Sequence, residues 1–282
     1  MILYSLLRLS SVTELTILIK LLEEIAMSQI ISFGNQKGGV AKTTSTINIG
    51  AALAKAGKRV LLVDMDPQAS LTIICGFDNP DDLDGHNVIT AMDDQDGKVD
   101  VKDCIHPLEF SDNLFLLPSD LPLARTEMYL SARPNASTVL KRVLKPIKDE
   151  FDFILIDCPP SLGHLTTNSI CASTAVIACS EAKYQSMRGL EFYIKNLETI
   201  KKEAELEIKL LGVIITKMGR DNDSKTLADV IGQGFNILGV IPNTVKVSDS
   251  EVMGLPIVAD KPGNIVSLNY IDIANGLIER FS

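Results

Sequence analysis

Two lysines, two glycines and two threonines crowd into eight residues, Lys37-Gly38-Gly39-Val40-Ala41-Lys42-Thr43-Thr44. Adjacent glycines let a backbone turn its N–H groups into one concavity, and a helix starting just beyond adds its dipole to the anion site so formed. Lys42 is placed to reach β- and γ-phosphates, the Thr43 hydroxyl to ligate a Mg²⁺ bridging them, and Thr44 to donate to another phosphate oxygen. Lys37 is a surplus cation, because an ordinary phosphate-binding loop needs one lysine. Position 41 carries Ala where the usual loop has Gly. A left-handed backbone would cost a Cβ about 1–2 kcal/mol, so an ordinary backbone is expected there, with Ala chosen for its small size.

Carboxylates stand at the ends of two apolar runs. Asp64 and Asp66 follow Arg59–Val63, and Asp157 closes Phe153-Ile154-Leu155-Ile156. The carboxyl edge of a parallel sheet is where ligands bind, so Asp157 is a candidate to hold Mg²⁺ through water. Asp64 and Asp66 in isolation would read as surface residues opening a turn before Pro67; beside a phosphate loop they read as site residues.

These groups need strands to aim them, and the pattern supplies strands alternating with helices. Ile30–Phe33, a helix over Thr43–Ala56 and strand Arg59–Val63 form the first βαβ unit. There follow strand Asn113–Leu117, helices Leu121–Ser131 and Ser137–Ile147, and the doubly apolar strand Phe153–Asp157. Strand Ala175–Cys179, helix Gln185–Lys202, strand Leu210–Thr216, a helix near Thr226–Gln233, strand Leu238–Ile241 and a final helix near Asn264–Arg280 complete the chain. The alternation predicts an α/β fold, a doubly wound, mostly parallel sheet flanked by helices. Residues 27–282 read as one domain. Residues 1–26 read as an extension, either upstream of a true start at Met27 or helical, with Leu15, Leu18, Ile19, Leu22, Ile25 and Ala26 on one face. The acidic stretch 78–100 lacks the spacing of a calcium loop and reads as a solvated loop around a short helix.

Taken together, these motifs resemble the deviant Walker A box of the ParA/MinD superfamily of ATPases, in which the early lysine is the signature. The likeness runs through Asp64-Met65-Asp66-Pro67-Gln68, Ile156-Asp157-Cys158-Pro159-Pro160-Ser161 and, weakly, Val240-Ile241-Pro242-Asn243. The Asp64–Gln68 and Ile156–Ser161 stretches look like Soj-type ParA proteins more than MinD. The resemblance implies a P-loop ATPase using ATP and Mg²⁺, with Gly38, Gly39, Val40, Ala41, Lys42, Thr43 and Thr44 around the phosphates. It implies Thr43, Asp64 and Asp157 on the metal side, Lys37, Lys42 and Asp66 as catalytic groups, and Asp66 positioning the attacking water. Ser161–His164 falls at the second switch. Pro242 and Asn243, with Thr216 as a further candidate, would meet adenine. It also implies an ATP-state homodimer in which Lys37 reaches the partner's nucleotide, a ParB-like centromere-bound partner that stimulates slow hydrolysis, and non-specific DNA as the track, in a cytoplasmic, nucleoid-associated protein.

Composition tests these implications. The net charge of −9 opposes DNA binding overall, so any DNA face must be local, and Lys217, Arg220, Lys225 and Lys246 are its candidates. Five cysteines without a C-x-x-C pair speak against a disulfide framework, and three scattered histidines against a metal site. No apolar run is long enough to span a bilayer, and the last helix lacks the basic amphipathic face of a membrane anchor, so no membrane is expected. Three classes stay open: a ParA-type partition ATPase for plasmid, chromosome or a protein cargo; a MinD-like membrane-associated positioning ATPase; and a scaffold that holds nucleotide without turnover.

Overall fold

In the computed structural model, residues 28–79, 83–94, 96–133 and 135–282 are described. The extension 1–26, with its amphipathic pattern, lies outside them. The strands are β1 (Gln29–Gly34), β2 (Val60–Asp64), β3 (His106–Leu108), β4 (Ser111–Leu117), β5 (Phe153–Asp157), β6 (Ala175–Glu181), β7 (Lys209–Met218) and β8 (Ile237–Pro242). They form one sheet in the order β3-β4-β2-β5-β1-β6-β7-β8. Only β3 runs antiparallel, as a short edge strand on β4 that the sequence did not signal.

The apolar runs of the strands face two ways. Ile31, Phe33, Leu62 and Leu155 pack under helix α1 (Lys42–Lys55) on one face, while Ile30, Leu61, Val63, Ile154 and Ile156 fill the other. Burial on both faces is why these strands read as continuous apolar runs instead of alternating ones. Helix α1 lies so close to the sheet that a Cβ at Gly50 would stand 2.7 Å from Leu62 Cδ2.

The remaining helices are α2 (Ser70–Ile74), α3 (Val88–Asp93), α4 (Leu123–Leu130), α5 (Val139–Leu144), α6 (His164–Ala172), α7 (Tyr184–Glu203), α8 (Asn222–Gly234), α9 (Lys246–Val252), α10 (Ile257–Asp260) and α11 (Ile265–Phe281). Helix α11 turns Val266, Tyr270, Ile273, Ala274 and Leu277 inward beside α1. No helix among the described residues is long and apolar enough to cross a membrane. Because β1, β2, β5, β6, β7 and β8 run parallel, their carboxyl ends share one edge, and register sets Asp157 opposite both Phe33 and Asp64.

Candidate active site

The loop between β1 and α1 is shaped by its own side chains. Asn35 Nδ2 donates to the Cys179 carbonyl at 2.6 Å while its Oδ1 accepts from the Lys37 N–H at 2.9 Å, tying the start of the loop to β6. From β7, Thr216 Oγ1 donates to the Val40 carbonyl at 2.9 Å and Lys217 Nζ to the Gly39 carbonyl at 2.6 Å. With its carbonyls held outward, the loop turns at Gly39 (φ 75°) and again at Ala41 (φ 59°, ψ 37°). The expectation of an ordinary backbone at Ala41 is therefore corrected: the residue is left-handed. A single left-handed residue is what redirects the chain from the loop into the first turn of α1, where Ala41 C=O accepts from Ser45 N–H at 3.0 Å. The surrounding hydrogen bonds hold the strain that its Cβ creates.

Beyond the loop, Lys42 is only 6 % exposed, and its ammonium has no hydrogen-bond or ion-pair partner among the described residues. Thr43 Oγ1 donates to Asp157 Oδ2 at 2.6 Å, joining α1 to the end of β5. The other oxygen, Asp157 Oδ1, is buried and has no hydrogen-bond partner. Burial, and then the neighbouring charge of Asp64, push the Asp157 carboxyl up to about 8. Burial likewise lifts Asp64 to about 6, against the hydrogen bonds it accepts. A buried carboxylate with a free oxygen, next to a threonine hydroxyl and an unpaired ammonium, fits a divalent cation and a phosphate chain, whose charges would offset that burial.

Asp64, expected on the metal side, stands beside Asp157 in the sheet register and has both oxygens engaged by the chain itself. Its Oδ1 accepts from Asp66 N–H at 3.0 Å, and its Oδ2 from Thr72 N–H at 2.9 Å and Thr72 Oγ1 at 2.8 Å. It braces the loop that presents Asp66 and does not itself line the cleft. Asp66 does line it, together with Lys42, Thr43 and Pro160. Of the Ser161–His164 segment no residue lines the cleft, and Pro160 alone brings that loop to its edge.

The cleft holds about 710 Å³ and runs from these groups out to Thr216, Lys217, Pro242 and Asn243. Pro242 and Asn243 line the cleft beyond the phosphate loop, and Thr216, which also lines it, donates its hydroxyl to Val40. Three wall residues gave no signal in the sequence. Glu251 on α9 accepts from Thr44 Oγ1 at 2.7 Å, the Tyr270 hydroxyl lies 3.2 Å from Ser45 Oγ, and Glu181 ends β6. Glu181 is nearly buried, yet burial is outweighed by Lys183, Lys217 and Lys37, which together hold its carboxyl below the usual range. Residues of this kind come from distant segments with no motif of their own, so only the fold could gather them.

The basic candidates separate. Lys217, itself exposed, donates to the Gly39 carbonyl and pairs with Glu181 Oε1 at 3.6 Å, so its amine faces the cleft wall. Arg220, Lys225 and Lys246 are exposed and make no ion pair among the described residues. Lys37 lies outside the cleft lining, and its Nζ donates to Ser186 Oγ on α7 at 3.0 Å.

Known proteins resemble this chain in sequence and in fold. The chain matches the AAA_31 family, described as an AAA domain, over residues 28–210. It is 34 % identical over 252 residues to the sporulation initiation inhibitor protein Soj of Bacillus subtilis, covering 88 % of this chain and 97 % of that one. It is 32 % identical to the chromosome partitioning protein ParA of Myxococcus xanthus, covering 90 % and 89 % of the two chains. Among solved structures it resembles cobyrinic acid a,c-diamide synthase from Mycobacterium smegmatis with bound ATP analogue and magnesium, at 30 % identity and a TM-score of 0.75 over 90 % of this chain and 96 % of that one. The family match, the identities and the near-complete coverage lead to one assignment: the chain belongs to the ParA/MinD family of P-loop ATPases, with ATP and Mg²⁺ as its cofactors.

Proposed function

We propose that the protein is a ParA-type ATPase that partitions DNA, a plasmid or a chromosome region, as an ATP-dependent sandwich dimer. The ATP-bound dimer binds DNA without sequence preference, and a ParB-like partner bound at a centromere site stimulates its slow hydrolysis. The observation that carries this reading is the division of labour between the two lysines. Lys42 is buried and lines its own cleft, whereas Lys37 stays outside it on Ser186. A lysine that does not serve its own nucleotide is available to a partner subunit's.

Within one subunit the roles follow from the geometry. Gly38, Gly39 and the start of α1 would offer N–H groups to the phosphates, Lys42 would neutralise charge on the terminal ones, and Thr43 with Asp157 would hold the cation. Bound magnesium would supply charge neutralisation to the phosphates. Asp66, presented by the Asp64 brace, orients the attacking water. The DNA face is Arg220, Lys225 and Lys246, which follow the ends of β7 and β8 at the same sheet edge as the cleft. A membrane role finds less support, since the last helix buries its apolar face in the core.

The test is binding to a non-specific duplex with ADP or a slowly hydrolysed ATP analogue, at 50 and 200 mM salt. Expected is binding selective for the ATP analogue. With about three phosphate contacts, affinity should fall by roughly 40-fold between those salts. Lys37→Ala and the pair Lys225→Ala/Lys246→Ala should each abolish or sharply weaken it, the former with loss of ATP-dependent dimers. Binding indifferent to nucleotide, or absent at low salt, would overturn the reading.

A further inference from the structure

Glu251 is a carboxylate on the wall of a cleft built to receive phosphates. It comes from α9, which follows the end of edge strand β8, and it lines the same cleft as Lys42, Thr43 and Asn243. One oxygen, Oε1, accepts from Thr44 Oγ1 at 2.7 Å; the other has no hydrogen-bond partner among the described residues, and no lysine or arginine pairs with the group. Facing a phosphate, such a carboxylate would repel it. It is favourable only where the ligand offers donors.

The order of groups along the cleft says which donors these are. A triphosphate seated with its terminal phosphates on Lys42 and Thr43 runs outward past Thr44, so that its sugar comes next, before the base end at Pro242 and Asn243. A ribose presents two adjacent hydroxyls there, and a carboxylate presents acceptors only, on two oxygens. Thr44 has a single hydroxyl proton. Once that proton is given to a phosphate oxygen, both oxygens of Glu251 are released to accept from the sugar.

We infer that Glu251 is a specificity-determining residue that accepts hydrogen bonds from the ribose hydroxyls of the bound nucleotide, so that the site selects ribonucleotides over deoxyribonucleotides. The inference rests on ATP being the ligand of this cleft. It is separate from the DNA-partition reading, because it is measured on nucleotide affinity without DNA or a protein partner.

Calorimetric titration with Mg²⁺ and the 5′-triphosphates of adenosine, 2′-deoxyadenosine and 3′-deoxyadenosine tests it on wild type, Glu251→Gln and Glu251→Ala. A hydrogen bond to a charged acceptor corresponds to roughly 10- to 100-fold in affinity, so wild type should bind at least one deoxy analogue that much more weakly than ATP. Glu251→Ala should bring ATP down to the deoxy level while leaving that analogue unchanged, with Glu251→Gln between. Equal affinity of wild type for all three nucleotides would overturn the inference. So would an Ala variant that weakens all three alike, which would make Glu251 only a brace for Thr44, or one that tightens all three, which would make it a repulsive gate.

Discussion

The two ends of the cleft are built on opposite terms. At the phosphate end the groups are dry: Lys42 is 6 % exposed, Asp157 is fully buried, and strands β1 and β5, next to which they sit, lie in the middle of the sheet. At the outer end the wall comes from edge strand β8 and helix α9, where Val245 is 76 % exposed and Asn243 and Lys246 are also open to solvent. Charge acts most strongly where water is excluded, so the chemistry sits at the inner end. Under the proposed function, recognition of what hangs from the phosphates falls to the outer end, where a side chain can change without unsettling the core.

Substitution at each end gives the largest effect that could break this contrast. Asp157→Asn removes a buried charge from the metal side and should lower ATP turnover about 10²- to 10³-fold, by analogy with losing one preorganised electrostatic group. Asn243→Ala at the outer end should change KM while leaving kcat within a few-fold. Steady-state phosphate release decides both; an Asn243 variant that loses kcat as severely as the Asp157 variant would erase the distinction.

A pH series sharpens it. The Asp64 and Asp157 carboxyls are held at about 6 and about 8 in the folded chain against 3.8 for the ordinary side chain, burial being the main cause for each. Between about pH 4 and pH 8 the folded state therefore binds more protons than the unfolded one. Stability without Mg²⁺ and nucleotide should fall as pH rises across that window, by up to about 1.4 kcal/mol per pH unit for each extra proton bound. Denaturant unfolding at pH 5.5 and 8 measures it, and Asp157→Asn should flatten the slope. A metal-free stability that rises with pH would contradict the buried pair.

The smallest effect belongs to Ala41. Replacing it by Gly relieves a left-handed Cβ but loosens the unfolded chain, leaving a net gain on the order of 0.5–1 kcal/mol. A rise in thermal midpoint shows it; an unchanged or lower midpoint would mean that the surrounding hydrogen bonds already accommodate the Cβ without strain.

Ala41 also marks where reading the chain from its residues stopped. A small residue before Lys42 was legible, but its dihedral was not. Its handedness is imposed by Thr216 and Lys217, which hold the Val40 and Gly39 carbonyls from a strand some 175 residues further on. The inward contacts of Lys217 were hidden for the same reason. Its position after a strand suggests an outward rim, while its amine turns back to the loop and to Glu181. The edge strand His106–Leu108 and the short helices α2, α9 and α10 left too few residues for a periodic pattern to register.

The sequence by itself determined the alternating α/β plan, the phosphate loop, the strand-end carboxylates Asp64 and Asp157, and Asp66 in the loop just beyond. Those features are local: a motif with its flanking strand and helix, or a run buried on both faces, is written in consecutive residues. Only the tertiary structure decided that Asp64 braces the Asp66 loop, that Lys37 stands apart from the cleft Lys42 serves, and that Glu251 faces Thr44. Each of those outcomes depends on which distant element packs alongside, and sheet order, not residue order, sets that.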